Sequence, residues 1–269
     1  MKLIFTPQPA SFGLFIVAVL SILIYNPLQA QERVSEDRII ILDPAEYDPD
    51  DEENSLFIPQ PLGDIKPTEY RKFEREDGSI AIEARSEESA SGLVVPLDLD
   101  PAEYRYIQWE WKIDEVLEKG DLTRKDGDDY AARIYITFDY DKSNLGFRDR
   151  TRYFFIRTFT SFDVPLRAIN YVWANKAEKG TVAPSPYTDW VKLIAVQSGN
   201  KNAGKWVVEK QDILEDYRIA FGEDPPRITG ISIMTDSDNT ESSSVGYYGK
   251  ILISKDESTS FEEAIRIAE

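Results

Sequence analysis

Two segments of this chain alternate apolar and polar residues without a break, and that alternation constrains the fold more than any other feature. In residues 106–113, Ile107, Trp109, Trp111 and Ile113 share one side, while Tyr106, Gln108, Glu110 and Lys112 share the other. In residues 133–140, Ile134, Ile136, Phe138 and Tyr140 stand opposite Arg133, Tyr135, Thr137 and Asp139. A two-residue period belongs to a strand with one buried and one wet face, so these segments predict sheets packed on one side only.

Other segments fit the same scheme. Residues 70–76 and 79–84 flank Asp77-Gly78, a pair suited to a two-residue hairpin turn. Residues 38–42, 152–159, 168–174, 190–197, 206–210, 228–235 and 245–254 read as further strands separated by Gly, Asn, Pro or Asp-rich turns. One helix interrupts them over residues 212–221: Ile213, Leu214, Tyr217, Ala220 and Phe221 keep helical spacing, Asp212 can cap the start, and Gly222 with Pro225-Pro226 ends it. Ser260 followed by Glu263 suggests a short C-terminal helix. The expected fold is an all-β sandwich of jelly-roll type, with residues 61–255 as its domain and 256–269 as a tail.

The segment ahead of it divides in two. Residues 1–30 carry one cation, Lys2, an apolar run over 12–25, and a small residue, Ala30, before Gln31, which is the grammar of an export signal. The run is shorter than the ~20 residues of a membrane span, so the expected product is periplasmic or secreted, with no permanent anchor after cleavage. Residues 31–60 read as one short strand followed by an acidic, solvated linker. Within it, Asp43-Pro44-Ala45-Glu46-Tyr47 recurs as Asp100-Pro101-Ala102-Glu103-Tyr104; nothing around the copies matches, and Asp-Pro turn chemistry accounts for both.

Three blocks carry a resemblance: residues 125–135 (KDGDDYAARIY), 170–175 (NYVWAN) and 233–240 (IMTDSDNT). Together they resemble the secreted bacterial family catalogued as domain of unknown function 3047, over about residues 57–254. The resemblance implies an exported single-domain organisation and supplies no activity. The layout also resembles carbohydrate-binding jelly rolls, an analogy of fold alone.

The chemistry open to the chain is narrowed by what it lacks. With no histidine and no cysteine, the Ser-His-Asp, thiol-protease and histidine-zinc mechanisms are excluded, as are disulfides. With 49 acidic against 31 basic residues and a net charge of −18, nucleic acid is a poor partner. Trp109 and Trp111 lie on the apolar side of their strand and read as core. The wet side of residues 133–139 sets a guanidinium beside hydroxyls and a carboxylate, able to hold a polyol or, equally, to pair across strands. Glu110 and Lys112 would extend that face if the strands were adjacent. Trp173, between Asn170 and Asn175, is a candidate stacking platform. The expected ligand set is Arg133, Tyr135, Asn170, Trp173, Asp236, Asp238 and Asn239.

The acidic turns at Asp126, Asp128 and Asp129 and at Asp236, Asp238 and Asn239 are the two places where a structural calcium could bind, against a reading as ordinary solvated turns. No catalytic residue is assigned. The expected role is a non-catalytic binding domain for a carbohydrate or other polyhydroxylated envelope component. The alternatives are a glycoside hydrolase built on two carboxylates, a lyase using Tyr135, Arg133 and Lys112, and an envelope adaptor that binds protein through a sheet edge.

Overall fold

In the computed structural model, residues 34–35, 37–51, 56–141 and 166–261 are described. The expected leader (1–30), strand (152–159) and C-terminal helix beyond residue 261 lie outside them. Among the described residues, fourteen strands follow in chain order: β1 (Val34–Ser35), β2 (Arg38–Leu42), β3 (Ile58–Pro61), β4 (Glu69–Glu74), β5 (Ile80–Glu87), β6 (Ala90–Leu99) and β7 (Tyr106–Ile113), then β8 (Arg133–Phe138), β9 (Ala168–Ala174), β10 (Val182–Pro184), β11 (Val191–Ser198), β12 (Val207–Asp212), β13 (Ile228–Asp236) and β14 (Ser243–Ser254). The helix α1 (Ile213–Phe221) lies between β12 and β13. Among the described residues no helix is long and apolar enough to cross a membrane.

The strands form two seven-stranded sheets, so the chain is an all-β sandwich. The first sheet is organised by β14, which pairs with β7 along one edge and with β5 and then β2 along the other. The second runs β10-β11-β9-β8-β13-β6-β3. Its pairings are antiparallel except β9 with β11, which run parallel with the β10 strand lying between them in sequence.

The alternation of β7 and β8 does what a half-buried pattern requires. Ile107, Trp109, Trp111 and Ile113 from one sheet and Ile134, Ile136, Tyr171 and Trp173 from the other are all fully buried in one core. Trp109 stacks on Tyr171 at 5.3 Å, and Trp111 meets Trp173 at 5.7 Å, so aromatic rings weld the sheets together. The hairpin of β4 and β5 forms, but through a turn longer than the two residues expected: Gly78 N donates to the Arg75 carbonyl at 3.0 Å, with Gly78 itself at φ 83°, a conformation that glycine adopts without cost. The helix is capped at both ends: Asp212 accepts from Glu215 N at 3.1 Å, and Gly222 closes it at φ 75°.

The N-terminal segment is more integrated than a strand and a linker. β2 is built into the first sheet against β14, and Tyr47 is buried edge-on against Phe57 at 5.4 Å. Only part of the acidic stretch is solvated, because these two aromatics carry apolar area that the sandwich can bury. Both copies of the repeated pentapeptide make the same Asp-initiated turn: Asp43 accepts from Ala45 N at 3.1 Å and Asp100 from Ala102 N at 2.9 Å.

Candidate functional site

The outer face of the second sheet is a floor of mixed polar and apolar residues set by strand register. Antiparallel pairing puts Arg133 opposite Met234 and Tyr135 opposite Ser232, and β6 continues the rows with Gly92 and Val94. Above this floor lies a cleft of about 670 Å³. Its walls are Asp128 from the loop before β8, Asp238 and Asn239 from the turn after β13, and Tyr187 from the loop between β10 and β11. Tyr187 is 44% exposed, and its hydroxyl lies 2.8 Å from Asn239 Oδ1 and 3.0 Å from the Lys125 carbonyl.

The three sequence blocks meet at Asp129. Its carboxylate caps the third block, accepting from Asn239 N at 3.3 Å and from Thr240 N and Oγ1 at 2.6 Å each. Its carbonyl accepts from Asn175 Nδ2 of the second block at 2.8 Å. A glycine makes room for this junction: a Cβ on Gly246 of β14 would fall 2.2 Å from the Ala131 carbonyl oxygen, so the segment that carries Asp128 and Asp129 can press against the first sheet.

Arg133 is buried in the floor of the cleft and forms an ion pair with Asp236. The other oxygen of Asp236 accepts from Tyr130 N at 3.0 Å. Burial works against the guanidinium charge, but Asp236, Tyr135 and Asp128 around it hold Arg133 protonated. It also lies 5.3 Å from the ring centroids of Tyr130 and Tyr135.

Several polar atoms at this surface have no protein partner. Arg133 Nε and Asp128 Oδ1, on residues that line the cleft, are buried and unbonded, as are both amide atoms of Asn170, which does not line it. The Tyr130 hydroxyl faces Asp128 without a well-formed hydrogen bond. Burial, reinforced by Asp129 and Asp238, pushes the Asp128 carboxyl up to about 6 against the pull of Arg133. Asp238 is raised by burial and by Asp129. Such unmet groups are uncommon in folded proteins; the indole nitrogens of Trp109 and Trp111 in the core are further examples.

Of the expected ligand residues, Arg133, Tyr135, Asp236, Asp238 and Asn239 line the cleft. Asn170 is adjacent to Tyr135 in the sheet but fully buried and does not line it. Trp173 requires correction: it is fully buried between the sheets, its Nε1 donates to the Gly199 carbonyl at 3.0 Å, and it offers no face to a ligand. Glu110 and Lys112 lie in the first sheet, where Lys112 packs over Tyr247 at 3.9 Å, so they do not extend the β8 face and the Tyr135-Arg133-Lys112 trio is not assembled. Asp128 and Tyr187 join the cleft through loops that the expected ligand set omitted, and the only sequence signal for Asp128 was its acidic turn.

The two acidic turns do converge, with carboxylate oxygens of Asp129, Asp236 and Asp238 within 4.8 Å of one another. Protein donors already occupy both oxygens of Asp129 and of Asp236, and Asp238 Oδ2 accepts from Asn239 Nδ2 at 2.9 Å. Asp126 is exposed and paired with Arg124, away from this group.

Fold and site together define an all-β sandwich with a cleft of mixed polar and apolar lining on the outer face of one sheet. The sequence comparison is consistent in extent with that domain. The chain belongs to the family described as "Protein of unknown function (DUF3047)", whose model matches residues 59–252. No curated protein matches the chain.

Proposed function

We propose that this protein is an exported, non-catalytic binding domain for a carbohydrate or similarly polyhydroxylated envelope component, which it holds in the cleft over β8 and β13. The observation that carries this reading is the pairing of an unmet donor, Arg133 Nε, with an unmet acceptor, Asp128 Oδ1, in one buried polar surface. A hydroxyl group donates and accepts at once, so a polyol satisfies both with one chemical function. Tyr135 and Tyr187 add ring area of the kind that packs against the apolar faces of sugars. The leader-like residues 1–30 support export, and the excess of acidic residues disfavours nucleic acid.

The test is a glycan-array assay on the purified protein, run with calcium and again with chelator. Reproducible hits that Arg133→Lys weakens would support the reading. A blank array under both conditions would sink it and direct attention to a protein partner. A second reading, glycoside cleavage, draws on one observation: a cleft carboxyl raised to about 6 is suited to donate a proton. Release of reducing ends from an array-positive glycan, abolished by Asp128→Asn, would favour it over binding alone.

A further inference from the structure

We propose that the ligand meets the cleft with a protonated amine, as an amino-sugar unit would, seated between Asp128 and Asp238 beside the Tyr135 ring; this rests on the polyol reading above. The charge balance of the cleft is the first reason. Among the described residues that line it, Arg133 is the cation facing Asp128, Asp236 and Asp238, and Asp236 already takes it up as an ion pair. Asp128 and Asp238 have no cationic partner among the described residues. Asp128 is 7% exposed, and its Oδ1 has no hydrogen bond. A buried carboxylate oxygen left unbonded is costly, and the strongest relief is a charged donor.

The second reason is the shape of the demand. An ammonium brings three donors on one small centre and no acceptor, matching two carboxylates and an aromatic face. A hard cation fits less well. Calcium takes six to eight oxygens, whereas Asp129 and Asp236 are committed to protein donors, and the guanidinium on Asp236 sets a fixed positive charge beside any ion held there. Arg133 Nε remains to donate to the oxygen of a neighbouring hydroxyl, so the cleft asks for amine and hydroxyl together.

Three tetrasaccharides with one β-1,4 backbone and different C2 groups separate these demands: glucosamine tetramer, its N-acetylated counterpart and cellotetraose. Titration calorimetry with the full chain should give binding about tenfold tighter for the amine than for the acetamide or the hydroxyl. That preference should fall to within about twofold in Asp128→Asn and in Asp238→Asn, the second of these being the less buried of the two positions. Equal affinity for all three sugars would overturn the amine and leave the polyol reading standing, whereas silence toward all three would overturn both. A preference that survives both substitutions is bulk attraction to a chain of net charge −18 and overturns the proposal. Heat from calcium chloride alone, with sugar binding lost in chelator, would overturn it in favour of a metal-bridged site.

Discussion

Strand β8 presents two opposite chemistries across one backbone. Its inward residues, Ile134, Ile136 and Phe138, enter a core where Trp109, Trp111 and Trp173 meet edge and face at 5.3–5.7 Å. Its outward residues, Arg133 and Tyr135, enter a surface where buried polar atoms stand unbonded. The inner face gains stability from apolar area removed from water and close packing. The outer face gives up stability, because it buries an ion pair and leaves acceptors unmet. Two faces of one sheet can differ in this way only if the first is strong enough to carry the second, and a binding site is the usual reason to tolerate the cost.

That contrast can be broken from the inside first. Trp111→Ala removes a fully buried indole from the inter-sheet contact and should cost about 3–5 kcal/mol, read as a lower urea midpoint with ligand affinity unchanged in the folded fraction. A smaller loss would mean that the core can collapse around the gap. On the outer face, Arg133→Ala strands Asp236 without its partner and should cost about 3 kcal/mol together with all binding. The double change Arg133→Met, Asp236→Leu should recover most of that stability and none of the binding. If the double variant is as unstable as the single one, the pair holds the sheet rather than the ligand.

What the sequence reveals follows the same division. The alternation of β7 and β8 is legible because each strand has one apolar face, and the caps of α1 are legible because Asp212 and Gly222 act on their immediate neighbours. β9 is illegible as to face, since all seven residues are buried: Trp173 points into the core, while Val172 and Ala174 lie under a second apolar layer with Leu122, Tyr130 and Leu193. The asparagines beside Trp173 therefore suggested exposure where there is none. β6 was missed because Gly92 and Pro96 look like turn residues; Pro96 is accommodated opposite Gly230, at a register shift that relieves the ladder of one donor. The cleft itself could not be read, because Asp128 and Asp238 meet only through the pairing of β8 with β13, which no local pattern encodes.

The finest test is a titration of the outer face, whose cost should depend on pH through Asp128; Asp216, which meets the core-facing Tyr171, adds a pH dependence of its own that Asp128→Asn leaves in place. Asp128 sits in the fold with its carboxyl raised to about 6, and Asp216, buried beside the Tyr171 hydroxyl at 2.7 Å, is raised to about 6 as well. A raised carboxyl binds its proton more tightly folded than unfolded. Between the folded value and the ordinary one near 3.8 the folded state therefore holds more protons, and stability grows as pH falls. From pH 7.5 to pH 5 each group should add on the order of 1 kcal/mol, before carboxyls with lowered values such as Asp212 begin to protonate and reverse the trend. Asp128→Asn removes one of these two contributions, so the variant should be more stable than the parent at pH 7.5 and nearly equal to it at pH 5, as measured by denaturant midpoints across that range. A gain that does not vary with pH would assign the effect to packing. A gain that vanishes on acidification, in a variant that no longer selects its ligand, would identify the Asp128 charge as stability surrendered for binding.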